Sequence, residues 1–510
     1  MKKITALMLV LILAMALLAG CGGSSGGSSA PAEPEGKART ASSSQAENAL
    51  NIGLTNAANT FDPHLFALQV EDAVILQTYE PLLLTMNDGT LADILTESHT
   101  VNEDGSVDFV LKEGVKFHSG DTLCAEDVEY TLSRIENSAL LAPVYGMIEM
   151  EIQDDLHFTW KFPYADQGAS FEALTPYLDA LEIVNKSWME ERLAVPTDKL
   201  GLEEDGTGAY YLDSVADNGD ITLKRFEDYH GEASIDTINM KVITGDAEMA
   251  FESGDLDLTT YKKSTYDVVS QYTNVQAMSY PVNSVGMFIN NCSEGKPTAD
   301  LKVRQAIAYA IDREEIARTA SDDGGETAYV MASPMVTYWA DVADHFDQDV
   351  EKSKELMTEA GYSDANRAPL TIITLGTQTA WVSACEIMKE QLEQSYFTVT
   401  IDQVTGTDRY FTGDFDLGLL AVGLTSSFVS YKGLFTDLNI SFYTGQDVMD
   451  AFDAIKDEAS TQEAMKVVTE TLAYMPVYYP YAYYIFDDQL NVGEMNSATS
   501  AFFFKEFSWK

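Results

Sequence analysis

The sequence predicts an α/β protein of more than one domain, and three observations carry that prediction. From Asp300 to Ile401 apolar residues recur first at helical spacing and then in alternation, and helices alternating with strands mark an α/β layer. Earlier, Val107, Phe109 and Leu111 alternate with polar neighbours and lead into a helix opened by acids at Ala125-Glu126-Asp127. Finally, 510 residues exceed what one core organises, so two or three domains are expected, and 45% hydrophobic with 11% aromatic residues suffices to fill them.

Each element follows in order. Residues 1–20 carry Lys2 and Lys3, an apolar run from Leu7 to Leu18, and then Leu18-Ala19-Gly20-Cys21. The run is short for a membrane span and right for a signal peptide. Small residues before a cysteine resemble a bacterial lipobox, which implies cleavage before Cys21 and diacylglycerol on its sulfur. Two acyl chains anchor a protein stably, at about 0.8 kcal/mol per buried methylene. Residues 21–47, rich in Gly, Ser, Ala and Pro, read as a flexible tether. Residues 49–55 read as a strand, Asp88-Gly89 as a hairpin turn, and Phe158-Trp160-Phe162 as another strand.

Asp104-Gly105 supplies the turn before the strand at Val107. Glu126 and Asp127 sit where the helix dipole favours negative charge, and Val128, Leu132 and Ile135 continue at helical spacing. Asp300 is a good N-cap for a helix with Val303, Ala306, Ile307, Ala310 and Ile311 on one stripe. A helix ending at Gly361 follows, then a strand at Leu370–Leu375, a helix at Trp381–Leu392 and a strand through Phe397, Val399 and Ile401.

Charge and cysteines exclude several classes. A formal charge of −50 argues against nucleic acid and against adhesion to anionic lipid headgroups. Cys21, Cys124, Cys292 and Cys385 are widely spaced, which suits neither a zinc site nor a disulfide framework. The six histidines are scattered, with no HExxH, no G-x-S-x-G and no phosphate loop. No enzyme activity, cofactor or resident metal is expected.

The stretch from Val107 to Ile135, VDFVLKEGVKFHSGDTLCAEDVEYTLSRI, closely resembles the signature of the bacterial extracellular solute-binding proteins of family 5, the oligopeptide- and dipeptide-binding group. DLKVRQAIAYAIDR at 300–313 is a second strong likeness. Weaker ones are Thr60-Phe61-Asp62-Pro63-His64, Tyr79-Glu80-Pro81-Leu82-Leu83, Gly206-Thr207-Gly208-Ala209-Tyr210, Asp228-Tyr229 (with His230 at a tryptophan position), Ser253–Asp257, Asp414–Leu417 and Met475–Phe486. The glycines of the 206–210 turn are read as supplying backbone angles closed to other residues.

The resemblance implies a two-lobed fold of the periplasmic-binding-protein kind (type II, cluster C) that closes on a ligand, with an extra inserted domain. Lobe I is expected at 48–79, 206–276 and 486–510, the inserted domain at 80–205 and lobe II at 277–485. Crossings between lobes are expected at Met278–Val282 and Phe486–Gln489. Ligand contacts carried over are Ala67, Gln69, Tyr145, Asn283, Val422, Gly423 and Thr425. In peptide binders an aspartate holds the ligand's terminal amine; here that position is Thr425, and a tryptophan position is Val422. A charge-assisted bond is about twice as strong as a neutral one, so a free amine loses its expected partner.

The implied protein is a monomeric, lipid-anchored binding component of an ATP-driven importer on the extracytoplasmic face of the cell membrane. It would take oligopeptides or dipeptides, with the permease and ATPase as separate chains. A non-peptide solute (oligosaccharide, metal chelate or other small molecule) and a tethered receptor for a peptide signal stay open. A chelate would call for a histidine in the cleft, and His64 is the one near a mapped cleft segment.

Overall fold

The computed structural model describes residues 37–510 apart from 55, 65–68, 88–89, 136–144, 146–147, 164–170, 172–177, 179–180, 194–199, 244, 424–426, 437 and 497–500. Its axis is a twelve-stranded sheet, and one strand, Tyr474–Asp487, runs through both halves of it. Tyr474 to Tyr478 pair with Ser284–Asn290, beyond which lie Leu417–Gly423, Ala368–Leu375 and Phe397–Val404. Tyr481 to Asp487 pair instead with Val275–Pro281, and Tyr483 to Phe486 with Leu258–Tyr261. That half continues through Ala49–Leu54, Thr237–Val242, Ile221–Arg225 and Tyr210–Val215.

The segment Met475–Phe486, which resembles a family element, lies within this strand. It is one unbroken strand whose partner changes between Tyr478 and Tyr481. The change is marked by a register shift at Gly286/Met287. There the ring of Tyr478 fills the space a side chain on residue 286 would need, since a Cβ would fall 2.1 Å from it.

In the half beyond Ser284–Asn290 every residue of that strand is buried, as befits a sheet covered on both faces. One cover is the helix Leu301–Ala310, capped by Asp300, whose carboxylate accepts from Lys302 N at 2.9 Å. Val303, Ala306, Ile307 and Ala310 are buried as the stripe requires, and Ile311 lies just past the helix end. Arg304 is buried as well, because it donates to three backbone oxygens, those of Thr298, Ala299 and Thr471. Helices Val350–Glu359 and Thr379–Leu392 and strands Ala368–Leu375 and Phe397–Val404 complete the alternation read from the sequence.

Within 80–205 a four-stranded antiparallel sheet, ordered Thr96–Val101, Val107–Leu111, His157–Lys161, Glu149–Ile152, encloses its own core around Phe109, Phe158 and Trp160. Asp127 does more than complement a dipole. Its carboxylate accepts from Cys124 N at the start of its own helix and from Lys186 N at the start of the next, both at 2.9 Å. Burial nonetheless pushes that carboxyl up from its ordinary value.

An ionic junction at Glu80 and a hydrogen bond from His118 to Gly208 O tie this segment to the half of the sheet around Ala49–Leu54. Glu80 is buried and satisfied four ways: His230 Nε2 at 2.6 Å, Tyr229 Oη at 2.7 Å, Thr207 Oγ1 at 3.2 Å and Lys505 Nζ at 3.3 Å. His118, from the signature stretch, lies 2.8 Å from Glu204 Oε2 through Nδ1 and 2.9 Å from Gly208 O through Nε2. Burial opposes a charge on His118, but Glu204 and Gly208 outweigh it and the imidazole is held above its usual value. A raised folded value stabilises fully below about pH 6.5 and loses that contribution as pH climbs through it. The stability difference between the unaltered protein and His118→Gln, read from urea midpoints, therefore shrinks between pH 6 and pH 8.5; a difference that stays constant would rule out the histidine as a source of pH dependence.

Gly206 and Gly208 act otherwise than expected. Neither has a positive φ. Both are pressed against the end of helix Gln69–Thr78, so a Cβ on Gly206 would lie 2.0 Å from Thr78 O and one on Gly208 2.5 Å from Gln77 O. The requirement is space.

The N-terminal boundary also moves. The tether expected through residue 47 ends sooner, because residues 37–47 are hydrogen-bonded to the folded body and include a short helix, Ser44–Glu47. Low apolar content argued for tether; main-chain and ionic bonds hold the segment instead.

Candidate functional site

The two halves of the sheet meet where Tyr474–Asp487 changes partner, and the seam is built from local bonds. Val282 N donates to Pro480 O at 2.8 Å, and Ser333 Oγ donates to Val282 O at 3.2 Å. Ser333 N in turn donates to Tyr431 Oη at 3.3 Å. From this loop Met335 packs, half-buried, on the opposite half's apolar cluster beside Met278, Tyr280 and Tyr484. Tyr280 meets Tyr484 and Phe502 edge-on, at centroid distances of 6.1 and 5.6 Å. The wall here is mostly aromatic, with Lys263 Nζ 5.5 Å from the centroid of the Tyr483 ring and Glu326 paired across from Tyr479.

Asn283 leads into strand Ser284–Asn290 at this seam and is buried. It stands beside the end of strand Leu417–Gly423, whose register puts Gly423 opposite Ser284 and Val422 opposite Val285. A Cβ on Gly423 would come within 2.9 Å of Asn283 O, so that strand end reaches the seam because it is glycine. Val422 is wholly buried, so its backbone is what it offers there. The parallel partner Ala368–Leu375 pairs with this strand only at Leu417 and Gly418.

Asn283, Val422 and Gly423 are thus brought together. Tyr145 is placed elsewhere: it is 1% exposed and packs edge-on to Trp160 at 6.3 Å, inside the core of the 80–205 segment. Its ring is a core ring. Gln69 opens the helix Gln69–Thr78, while its side chain, Ala67, Thr425 and Cys21 lie outside the described residues. The Ser333–Met335 loop was missed by sequence reasoning, because an irregular segment without periodicity gives no sign of what it touches.

His64 is buried. Its Nε2 is 3.0 Å from Glu182 O, and Asp62 beside it pairs with Arg134 at 2.5 Å. Burial and the Arg134 charge lower the imidazole to about 4, so it is neutral and ties the Asp62-Pro63-His64 turn to the 80–205 segment. Among the described residues no three His, Cys, Asp or Glu side chains converge as a metal site would require.

Of the aromatic run, Tyr478 and Tyr479 are buried while Tyr481, Tyr483 and Tyr484 are partly exposed. Tyr478 accepts a bond from Trp381 Nε1 at 2.9 Å. The first half of the run is core and the second half follows the seam.

Two α/β lobes joined through one continuous strand have the fold of the solute-binding proteins that deliver cargo to ABC importers. The chain belongs to the bacterial extracellular solute-binding proteins of family 5, whose middle-region model matches residues 90–432. It is 27% identical over 392 residues to the oligopeptide-binding protein AppA of Bacillus subtilis, covering 72% of this chain and 68% of that one. The crystal structure of the ABC transporter substrate-binding protein CtaP from Listeria monocytogenes superposes with a TM-score of 0.78 at 21% identity, over 90% of this chain and 99% of that one. AppA of Bacillus subtilis in complex with a nonapeptide superposes with a TM-score of 0.72 at 22% identity, over 91% and 99%. The family is extracytoplasmic, and among the described residues no helix is long and apolar enough to cross a membrane.

Proposed function

We propose that this family member captures peptides, held extended between the lobes, and that it does so as a non-enzymatic monomer anchored by lipid on Cys21 at the outer face of the cell membrane. The observation that carries the peptide reading is the end of strand Leu417–Gly423. Among the described residues its ladder beyond Gly418 runs on one side, along Ser284–Asn290, and a glycine end beside Asn283 suits pairing with the backbone of an extended ligand. Kinship with an oligopeptide-binding protein over 392 residues supports the same reading. Lobe I is assigned to 48–79, 206–276 and 486–510, with 80–205 inserted and 277–485 as lobe II. The site is proposed around Asn283, Val422, Gly423 and Thr425, with Ala67 and Gln69 opposite.

Native mass spectrometry of the body from Lys37 onward tests the cargo. A ladder of masses matching short peptides is expected; a single discrete non-peptide mass would overturn peptide capture while leaving the importer role intact. Thr425→Asp restores an acid at the position that holds the amine in peptide-binding relatives. It is expected to raise the preference for free-amine over N-acetylated peptides about tenfold, since a bond to a charged group is worth about 1.5–3 kcal/mol. An unchanged ratio by calorimetry would remove Thr425 from the site.

A further inference from the structure

The segment 37–48 lies outside both the cleft and the family signature, and it is held along its length. Thr273 N donates to Lys37 O at 3.1 Å and Thr40 N to Glu252 O at 2.9 Å. Arg39 exchanges two bonds with Asn274, N to Oδ1 at 2.9 Å and O from Nδ2 at 3.1 Å. The Arg39 guanidinium is fully buried, 3.5 Å from Asp487 Oδ2 and 4.0 Å from Asp257 Oδ1, over the Phe251 ring at 4.1 Å. Gly254, at φ +86°, admits the passing chain: a Cβ there would meet Thr40 O at 2.9 Å. Further on, Asn51 Nδ2 donates to Ser44 Oγ at 2.6 Å. Every one of these partners belongs to the half of the sheet around Ala49–Leu54 and Leu258–Tyr261, or to the lobe I end of the shared strand.

A contact made equally in open and closed forms cannot shift the balance between them. The segment is therefore no gate. We propose that residues 37–48 are a strap by which the anchored N-terminus grips lobe I alone, so that lobe I is the membrane-held lobe and lobe II is the one that moves. The membrane half of this rests on lipidation of Cys21, whereas the strap itself does not. With the strap docked, residues 21–36 remain to reach the bilayer, at most about 55 Å when fully extended.

Hydrogen exchange on the mature chain purified from membranes, with vesicle flotation of the same preparation, tests it. The Thr40 amide is expected to exchange at least 100-fold more slowly than in a free peptide of residues 37–48, and the protein to float. In Arg39→Met, Thr40 protection is expected to drop more than tenfold while amides of Ser284–Asn290 keep theirs. Free-peptide exchange in the unaltered protein would overturn the strap. Protection without flotation would overturn the anchoring of Cys21, and with it the membrane-held lobe, but not the strap. Matching losses in Ser284–Asn290 would overturn the restriction to lobe I.

Discussion

Glu80→Ala is expected to lower the thermal midpoint by about 10 °C. The substitution removes the one carboxylate that satisfies His230, Tyr229, Thr207 and Lys505 together, and it leaves the Lys505 ammonium partly buried against Tyr229. Breaking a buried pair from one side costs about 3–5 kcal/mol, and each kcal/mol shifts the midpoint by about 2–4 °C in a domain of this size. Burial alone would raise the Glu80 carboxyl, yet His230, Lys505 and Tyr229 together hold it below its usual value. A depressed folded value means the contribution is present above about pH 4.3 and is lost as pH falls through it. Glu80→Ala should therefore cost most near neutrality and least at pH 3. Calorimetry at both pH values decides: equal shifts at the two, or a shift below 2 °C at pH 7, would show that the junction bears little load.

Gly206→Ala is expected to leave little folded protein. The added carbon would stand 2.0 Å from Thr78 O and 2.9 Å from the Tyr79 ring. A main-chain oxygen at a helix end cannot turn aside, so the turn itself has to move. Overpacking of a core commonly costs about 1–3 kcal/mol when side chains give way, and here none is in a position to. Displacing the turn also pulls Gly208 O from His118 and Thr207 from Glu80. Gly105→Ala is the control: it has a φ of +84° and nothing within 4 Å of the new carbon. Its cost is conformational, about 1–2 kcal/mol, and Gly105→Asn should recover part of it. Similar yields of soluble Gly206→Ala and Gly105→Ala protein would refute the argument from close approach.

These two cases mark how far the sequence could be read. Strands such as Val107–Leu111 and helices such as Leu301–Ala310 were legible because burial on one face leaves a period in the apolar residues. The helix that follows Asp300 shows its cap in the sequence as well. What a glycine is for is not legible, since Gly105 and Gly206 look alike until the neighbour of each is known. The 37–47 segment misled for a related reason. Its small polar residues signal freedom, and the single Arg39 that binds it to Asp257 and Asp487 is invisible without the distant partners. Asn283, Val422 and Gly423 were placed by likeness to a family motif, and Tyr145, chosen the same way, proved to be a core ring. Likeness to a motif does not carry side-chain exposure with it.

The arrangement of the sheet has a consequence for how the chain must be made. Ala49–Leu54 takes its ladder partners from residues 237–242 and 258, and Trp509 Nε1 donates to Ala49 O at 2.9 Å. Ala49–Leu54 is therefore held in waiting until its first ladder partner has followed it, 188 residues later by the pairing of Ala49 with Thr237, which at about 5–20 residues per second is roughly ten seconds or more. The four-stranded sheet within 80–205 closes on neighbours made moments earlier and is complete while the rest is still being synthesised. A chain cut short before residue 237 would carry Ala49–Leu54 without either of these ladder partners.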